Sequence, residues 1–265
     1  MSKQIWHDTI QTIDEDGVYK IILNRPAKRN AFSSRMYHEL KLGVLAAGVH
    51  PDVDSVLVQG HPGVFASGGD LAEFLHILEL PPHEFLPAFA KAFEEPLPFR
   101  AILECPKPVV AKIDGLCLAG GLVVAAACDV AIATKRSVFG VPEARVGLAD
   151  PFCATLLPPS IGLGRARYLM LTGENINADV AMQWGILHKV VAEEELDSVV
   201  DAVLANLRRT SPDARRAYKK AANDTIPHMS TDSVLRPVLT ANGREGLKAF
   251  VEKRPPIWDR SSMLI

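Results

Sequence analysis

The sequence of 265 residues lacks a long unbroken apolar run and carries little excess of either charge. Its longest apolar stretch, residues 116–133, is interrupted by two glycines and by Asp129, so no membrane-spanning helix is expected. The formal net charge of −2 gives no electrostatic reason to expect nucleic acid or an anionic membrane as a partner. The first ten residues, MSKQIWHDTI, lack the apolar segment of a signal peptide, and we therefore expect a cytoplasmic protein.

Cysteine is also scarce, and its spacing excludes two kinds of site. The four cysteines show neither CxxC spacing nor a neighbouring histidine cluster, so we expect small buried side chains rather than disulfides or metal ligands. Three histidines also lack partners at the spacing of a catalytic triad or a metal site, and no metal is expected. The residues concerned are Cys105, Cys117, Cys128, Cys153, His61, His76 and His188.

Two segments of the chain repeat one pattern of strand, loop and helix. The first has a strand at 54–59, a loop at 60–69 and a helix that starts at Asp70, its expected cap. The second has a strand at 107–113, a loop at 115–120 and a helix at 121–128. A strand at 18–24, a helix at 32–49 capped by Ser33 or Ser34, and a strand at 130–134 extend the alternation, which predicts an α/β fold. From about residue 197 the chain changes to helices rich in Arg, Lys and Ala. We therefore divide it into a core of residues 1–196 and a helical region of residues 197–265.

Paired glycines precede the helix in both repeats, at Gly68–Gly69 and at Gly120–Gly121. A helix N-terminus presents unpaired N–H groups, and glycine lets a ligand approach them. Two such sites converging on one point would stabilise negative charge on a carbonyl oxygen. Glycine pairs before helices also serve tight turns and close packing, so the pattern by itself leaves both interpretations open.

Six segments of the chain together carry a family resemblance. They are NRPAKRNAF (24–32), FASGGDL (65–71), CLAGGLVVAAACD (117–129), FGVPEARVGL (139–148), LTGENINADVAMQWGILHKVV (171–191) and EGLKAFVEKRPPIW (245–258). In this order they resemble the enoyl-CoA hydratase/isomerase, or crotonase, family over essentially the whole chain. The resemblance implies a spiral of repeated ββα units, with a helical C-terminal region that forms a homotrimer or a dimer of trimers and covers the active site. It also implies an acyl-CoA thioester as substrate, with no cofactor beyond the coenzyme A of that substrate.

The family resemblance assigns catalytic roles to three positions. It implies that the thioester oxygen accepts hydrogen bonds from the N–H groups of Gly69 and Gly120, and that Glu143 transfers the proton. Family hydratases carry a second glutamate three residues after the second glycine, where this sequence has Val123. One base suffices to move a double bond between the 3,4 and 2,3 positions, so double-bond isomerisation is favoured. The apolar neighbours expected around Glu143 predict a pKa raised toward neutrality.

Two other functions stay open at this point. A hydratase or related lyase would work with Glu143 alone or recruit Asp150, which is otherwise a turn aspartate before Pro151. A protein that binds acyl-CoA without catalysis would keep the binding site and lose the chemistry. Glu73 is a second auxiliary candidate, with a solvated first-turn glutamate as the alternative interpretation.

Binding of the substrate is assigned to residues in the matching segments. The basic side chains of the first loop would meet phosphates of coenzyme A, although a solvated basic turn is equally compatible with the sequence. Side chains of the C-terminal tail, including Lys248, would come from a neighbouring subunit, and residues 78–98 would shape the acyl pocket. The candidate binding residues are Arg25, Lys28, Arg29, Ala66, Ser67, Val123, Phe250 and Lys253.

Overall fold

The computed structural model of the protein describes residues 3–6, 9–94, 97–227 and 239–259. Its strands are β1 (Lys3–Trp6), β2 (Ile10–Glu15), β3 (Val18–Leu23), β4 (Ser55–Gln59), β5 (Val64–Ala66), β6 (Val109–Ile113), β7 (Leu116–Leu118), β8 (Val130–Thr134), β9 (Val138–Gly140), β10 (Asn175–Asn177) and β11 (Lys189–Val191). Its α-helices are α1 (Ser34–Val49), α2 (Leu71–Leu78), α3 (Pro82–Phe89), α4 (Phe99–Glu104), α5 (Gly120–Ala127), α6 (Pro151–Ile161), α7 (Leu163–Thr172), α8 (Ala178–Trp184), α9 (Leu196–Arg208), α10 (Pro212–Asn223) and α11 (Ala241–Val251). Single 3-10 or π turns occur at Pro26–Lys28, Ala90–Glu94, Pro142–Val146 and Glu193–Glu195.

The strands form two sheets. The larger sheet has the order β1-β2-β3-β4-β6-β8-β11, with antiparallel pairing among β1 to β3 and parallel pairing from β3 onward. The smaller sheet has the order β10-β9-β7-β5 and is parallel except at β10. Parallel neighbours require crossover connections, and the chain supplies them by passing from one sheet to the other.

The chain repeats a ββα unit along these sheets. Strands β4, β6 and β8 enter the larger sheet, and each is followed by a short strand of the smaller sheet, β5, β7 or β9. Helices α2, α5 and α6 follow those short strands in turn. The predicted α/β spiral of ββα units is therefore confirmed. A role of the C-terminal region in oligomer formation stays a prediction.

The predicted elements agree with the structure except at two short strands. The main strands and helices lie within about two residues of the predicted bounds, the margin at which helix ends are defined. Ser33 caps α1 and Asp70 caps α2, as predicted. The segments 60–69 and 115–120 were expected to be loops, and this is wrong for β5 and β7. Each of these strands has only three residues between glycines, a composition typical of loops, and pairing across the sheet makes it a strand.

The core fills both faces of the larger sheet. On one face, Val56 and Val58 of β4 join the main hydrophobic cluster with α1, α4 and α5. On the other face, alternate residues of the central strands pack against helix α9. The strand residues are Leu57, Val110 and Ile132, and the residues of α9 that they meet are Leu196, Val200 and Leu204. All four cysteines are buried free thiols, as predicted. Among the described residues, no helix has both the length and the apolar character needed to cross a bilayer.

The helices after residue 196 pack against the core of the same chain. In α10, the buried Lys219 ammonium donates to the carbonyl oxygens of Ile102 and Lys107 and to the Asp129 carboxylate. Asp129 also accepts from the N–H of Val109, which joins the end of the glycine-rich helix to β6. Residues 228–238 and 260–265, which belong to the predicted helical region, lie outside the described residues.

Candidate active site

Two loop-to-helix junctions, at Gly69 and at Gly120, lie side by side. Strands β5 and β7 are parallel neighbours, so the chain leaves both at the same edge of the smaller sheet and enters α2 and α5. The two loops are in close contact, because a Cβ placed on Gly68 would lie 2.6 Å from the Cβ of Ala119. Gly68 has a φ of +107°, which a residue with a side chain rarely adopts. The glycine pairs thus serve close packing as well as helix entry.

The backbone around Gly69 and Gly120 is fixed, while their own N–H groups are not used internally. The N–H of Phe32 donates to the carbonyl of Gly68, and the N–H of Asp70 donates to the carbonyl of Phe32. Gly120 is the first residue of α5, where an N–H has no partner within the helix. No hydrogen bond within the described ranges uses either glycine N–H. A Cβ on Gly69 would meet no atom within 4 Å, so the space in front of it is open.

Two carboxyl groups lie at the same site. Glu143 belongs to the Pro142–Val146 turn after β9, and Asp150 is the N-cap of α6. One carboxylate oxygen of each and the thiol of Cys153 lie within 4.8 Å of one another. The Asp150 carboxylate accepts from the N–H groups of Phe152 at 2.7 Å and Cys153 at 3.1 Å. The Oε2 atom of Glu143 is buried and has no hydrogen-bond partner within the described part of the chain.

The surroundings make Glu143 the weaker acid of the two. Burial raises the pKa of Glu143 to about 8, and the negative charge of Asp150 adds to the shift. Burial raises the pKa of Asp150 to about 6, against the opposing effect of the N–H groups of Cys153 and Phe152. The predicted direction for Glu143 is therefore confirmed, with a neighbouring carboxylate as a further cause.

The group of Glu143, Asp150 and Cys153 has the donor atoms of a metal site, but its environment disfavours a cation. Burial raises the pKa of all three side chains, so they hold their protons more tightly than in water. A thiol or carboxyl must lose its proton before it binds a metal ion. The expectation of no metal stays a prediction.

A cavity of about 1020 Å³ connects these groups. Gly69, Gly120, Glu143 and Asp150 all line it, so the structure brings together the predicted oxyanion glycines and both acids. Basic and polar side chains also line the cavity, among them Lys28, Arg29, Ser67, Lys253 and Arg254. Its apolar lining includes Leu71, Phe74, Phe89, Leu97, Phe99, Leu148, Phe152 and Phe250. Phe89 and Leu97 come from residues 78–98, in agreement with the predicted acyl pocket, although residues 95–96 lie outside the described ranges.

Four candidate residues are not among those that line the cavity. Val123 and Ala66 are fully buried in the main hydrophobic cluster. The Arg25 guanidinium is engaged by the Asp70 carboxylate at 3.1 Å and also donates to the carbonyl oxygen of Ala31. The Glu73 carboxylate accepts from the N–H and hydroxyl of Ser34, so it joins α2 to the start of α1.

The C-terminal tail lines the cavity of its own chain. Gly246, Phe250, Val251 and Lys253 all contribute, whereas Phe250 and Lys253 were predicted to come from a neighbouring subunit. Close packing explains this arrangement, because a Cβ on Gly246 would lie 2.3 Å from the carbonyl oxygen of Val146. Helix α11 therefore rests directly on the turn that carries Glu143. Lys248 does not line the cavity, and its nearest carboxylate is that of Glu252, at 3.9 Å.

Sequence reasoning missed two residues of this site. Tyr37 of α1 lines the cavity beside Gly120, although its helical position marks it only as a core aromatic. Asn30 is fully buried in the first basic loop. Its side chain accepts from the N–H of Arg25 and donates to the carbonyl oxygen of Phe65. The signal available in the sequence was an asparagine inside a basic turn. A buried asparagine forms hydrogen bonds, and here they hold the loop in place.

Comparison with known proteins places these features in a family. Residues 14–261 match the model of a family described as enoyl-CoA hydratase/isomerase. Enoyl-CoA hydratase domain-containing protein 3, mitochondrial, of Danio rerio is 32% identical over 276 residues, covering 94% of this chain and 87% of that protein. Trans-2-decenoyl-[acyl-carrier-protein] isomerase of Streptococcus mutans is 30% identical over 250 residues, covering 91% and 94%. The crystal structure of an enoyl-CoA hydratase from Mycobacterium avium subsp. paratuberculosis K-10 superposes with a TM-score of 0.81 at 25% identity, covering 95% and 98%.

Proposed function

The chain belongs to the enoyl-CoA hydratase/isomerase family, and on that premise we propose that it moves the double bond of a 3-enoyl-CoA to the 2,3 position. The observation that carries this proposal is the environment of Glu143. Its carboxyl group opens into the cavity beside Gly69 and Gly120, has a raised pKa and leaves one oxygen without a partner. A carboxylate of this kind is suited to take and return a proton near neutral pH.

The proposed reaction needs one base and two backbone donors. The thioester oxygen accepts hydrogen bonds from the N–H groups of Gly69 and Gly120. The Glu143 carboxylate removes a proton from C2, and the electrons of that bond delocalise over the 3,4 double bond and the thioester as a dienolate. The protonated Glu143 then returns the proton to C4, which leaves the double bond between C2 and C3. A single donor of this type typically lowers the barrier by about 3 kcal/mol.

The residue at position 123 supports isomerisation over hydration. Hydration shares the activation of water and the delivery of a proton between two carboxylates in family hydratases. Val123 provides no carboxylate and lies in the hydrophobic core instead of the cavity lining. The proposed isomerisation returns the proton that Glu143 has removed and therefore needs no second acid.

The lining of the cavity supports an acyl-CoA thioester as substrate. Lys28, Arg29 and Lys253 would meet the phosphates of coenzyme A, because their side chains line the cavity and, like that of Arg145, have no carboxylate partner in the described structure. Arg254 also lines the cavity, but its guanidinium is paired with Glu245 and Glu252. The apolar wall formed by Phe74, Phe89 and Leu97 would hold the acyl chain.

Hydration of a 2-enoyl-CoA is the second candidate function, and Asp150 favours it. Its carboxylate lies within 4.8 Å of the nearest Glu143 oxygen and also lines the cavity. A second carboxylate is therefore present, although at position 150 rather than 123. Two acids with separated pKa values can divide proton removal and proton delivery.

Proton NMR of the purified protein with a 3-enoyl-CoA in deuterated water separates these functions. Conversion that stops at the 2-enoyl-CoA supports isomerisation, and onward conversion to a 3-hydroxyacyl-CoA makes the protein a hydratase. Broadening of ligand resonances without any conversion identifies a protein that only binds acyl-CoA.

We expect Glu143→Gln to lose isomerisation by at least about a hundredfold while still binding acyl-CoA, because glutamine keeps the size of the side chain and cannot accept the proton. Rates from the same NMR assay and calorimetric titration with acyl-CoA measure the two effects. Glu104→Gln, a change on the exposed face of α4, is the control and should keep the wild-type rate. Retention of the wild-type rate by Glu143→Gln would overturn the proposal.

A further inference from the structure

The aromatic ring of Tyr37 is held rigidly in the first turn of α1. It is 5% exposed and stacks on Phe32, with ring centroids 4.5 Å apart and an interplanar angle of 6°. The edge of a second ring, Phe99, contacts it at a centroid distance of 5.8 Å. Phe99 in turn packs on Phe152 of α6. Packing on several sides leaves this ring little freedom to turn, so the position of its hydroxyl group is fixed.

That hydroxyl lies beside the amide group of Gly120. A Cβ placed on Gly120 would be 2.1 Å from the Tyr37 oxygen. Standard covalent geometry then puts the oxygen less than about 5 Å from the nitrogen of Gly120. An oxygen atom that accepts from the N–H of Gly120 is therefore within reach of the hydroxyl as well. This contact requires glycine at position 120, because a Cβ there would overlap the Tyr37 oxygen.

The hydroxyl has no acceptor in the described structure. None of the hydrogen bonds between described residues uses it, although the ring is almost completely buried and lines the cavity. A phenylalanine would make the same ring contacts without placing a polar group there. Because Tyr37 lines the cavity, the partner of its hydroxyl is a ligand or water there.

The hydroxyl remains a donor over the working range of pH. Burial raises the pKa of Tyr37 well above its ordinary value, and the charges of Asp150 and Glu143 raise it further. Glu143 itself is not its acceptor, because the Oε2 of Glu143 has no partner and no hydrogen bond joins the two side chains in the described structure. A neutral donor beside Gly120 faces the region where negative charge would develop.

We propose that the Tyr37 hydroxyl donates a third hydrogen bond to the thioester oxygen of the bound substrate, alongside Gly69 and Gly120. This inference rests on the proposed acyl-CoA chemistry. The hydrogen bond from this third donor becomes stronger as negative charge moves onto the oxygen in the dienolate. The hydroxyl therefore acts mainly on the chemical step and little on ground-state binding.

The test replaces the hydroxyl alone, with Tyr37→Phe, and measures turnover and carbonyl polarisation separately. We expect kcat to fall by about 10- to 100-fold and KM to change by less than about threefold, the pattern for a donor that acts in the transition state. A conjugated 2,4-dienoyl-CoA serves as the spectroscopic probe, since polarisation of its carbonyl shifts its ultraviolet absorbance to longer wavelength. That shift should be smaller in Tyr37→Phe than in the wild type.

Tyr168→Phe is the matched control, because its hydroxyl donates to Glu174 on a different surface and does not line the cavity. It should keep both the rate and the absorbance shift. An unchanged kcat and an unchanged shift in Tyr37→Phe would overturn the inference. So would a displaced pH profile with an unchanged shift, which would mean that the hydroxyl acts on the carboxyl groups.

The absorbance measurement also separates this inference from the proposed function. A wild-type protein that shifts the absorbance without isomerising a 3-enoyl-CoA would refute isomerisation, and a reduced shift in Tyr37→Phe would still support the third donor. A wild-type protein that isomerises its substrate but gives an equal shift in both variants would refute the third donor alone. No shift in the wild type would refute the inference directly.

Discussion

Single residues set the chemistry of the cavity, and the two carboxyl groups differ in what surrounds them. Asp150 accepts two N–H bonds as the cap of α6, whereas Glu143 keeps one buried oxygen without a partner. Hydrogen bonds to the charged form favour ionisation, so Asp150 loses its proton at lower pH than Glu143. The ionised Asp150 then makes Glu143 a stronger base, because like charges close together resist a second ionisation.

Asp150→Asn tests this electrostatic coupling. Asparagine keeps the helix cap and removes the negative charge, so we expect the pKa of Glu143 to fall and the ascending limb of kcat/KM to move to lower pH. The sign follows from the role of Glu143 as a base: activity rises as pH increases through its pKa, which burial and Asp150 raise to about 8. The measurement is a pH profile of kcat/KM with a 3-enoyl-CoA.

The outcome for Asp150→Asn also identifies the proton-transfer group. A shifted profile with a similar maximal rate assigns Asp150 an electrostatic role. Loss of activity at every pH would contradict this and would assign proton transfer to Asp150. Asp213→Asn, at the start of α10 and outside the cavity lining, should leave the profile unchanged.

At the scale of elements, one lysine fixes helix α10 to the core. The side chain of Lys219 is 9% exposed and donates to two carbonyl oxygens and to Asp129 at 2.6 Å. Asp129 is in turn bound to the N–H of Val109 at the start of β6. These contacts connect α10 with α4, with the end of α5 and, through Asp129, with β6, so a single side chain joins four elements.

Lys219→Ala should lower the free energy of unfolding by about 2–4 kcal/mol, because it leaves a partly buried carboxylate and two carbonyl groups without a partner. Urea denaturation measures this change. Lys220→Ala is a stringent control, since the neighbouring lysine is exposed and pairs with Asp224 only on the surface of α10. Equal stability of the two variants would show that the contacts of Lys219 do not stabilise the fold.

At the scale of the whole molecule, the C-terminal helix completes the cavity from the far end of the chain. Helix α11 packs on the Pro142–Val146 turn and contributes Gly246, Phe250 and Val251 to the lining. Leu247 of the same helix is fully buried in a satellite cluster with Phe74 and Phe89. The proposed acyl pocket and the position of the turn that carries Glu143 therefore depend on one helix.

Gly246→Ala should raise KM for an enoyl-CoA by at least about tenfold, because the added Cβ meets the backbone at Val146 and displaces either α11 or the catalytic turn. Steady-state kinetics measure this effect, and circular dichroism checks that the fold is retained. Gly164→Ala is the matched control, since a Cβ there meets no atom within 4 Å. An unchanged KM in Gly246→Ala would show that this packing does not position the site.

Two expectations about the whole molecule stay predictions. The homotrimer or dimer of trimers would be measured by light scattering of the purified protein. The cytoplasmic location would be tested by cell fractionation, and the Danio rerio relative is described as mitochondrial.

The sequence by itself determined the repeat of strand, loop and helix and the helix caps at Ser33 and Asp70, because periodicity and capping are local properties. Its resemblance to a known family located Gly69, Gly120 and Glu143. The tertiary structure alone decided that β5 and β7 are strands, that Val123 lies outside the cavity lining, and that Tyr37 faces Gly120. It also decided that α11 covers the cavity of its own chain. These features depend on contacts between residues far apart in the sequence, and no pattern within a short segment encodes such contacts.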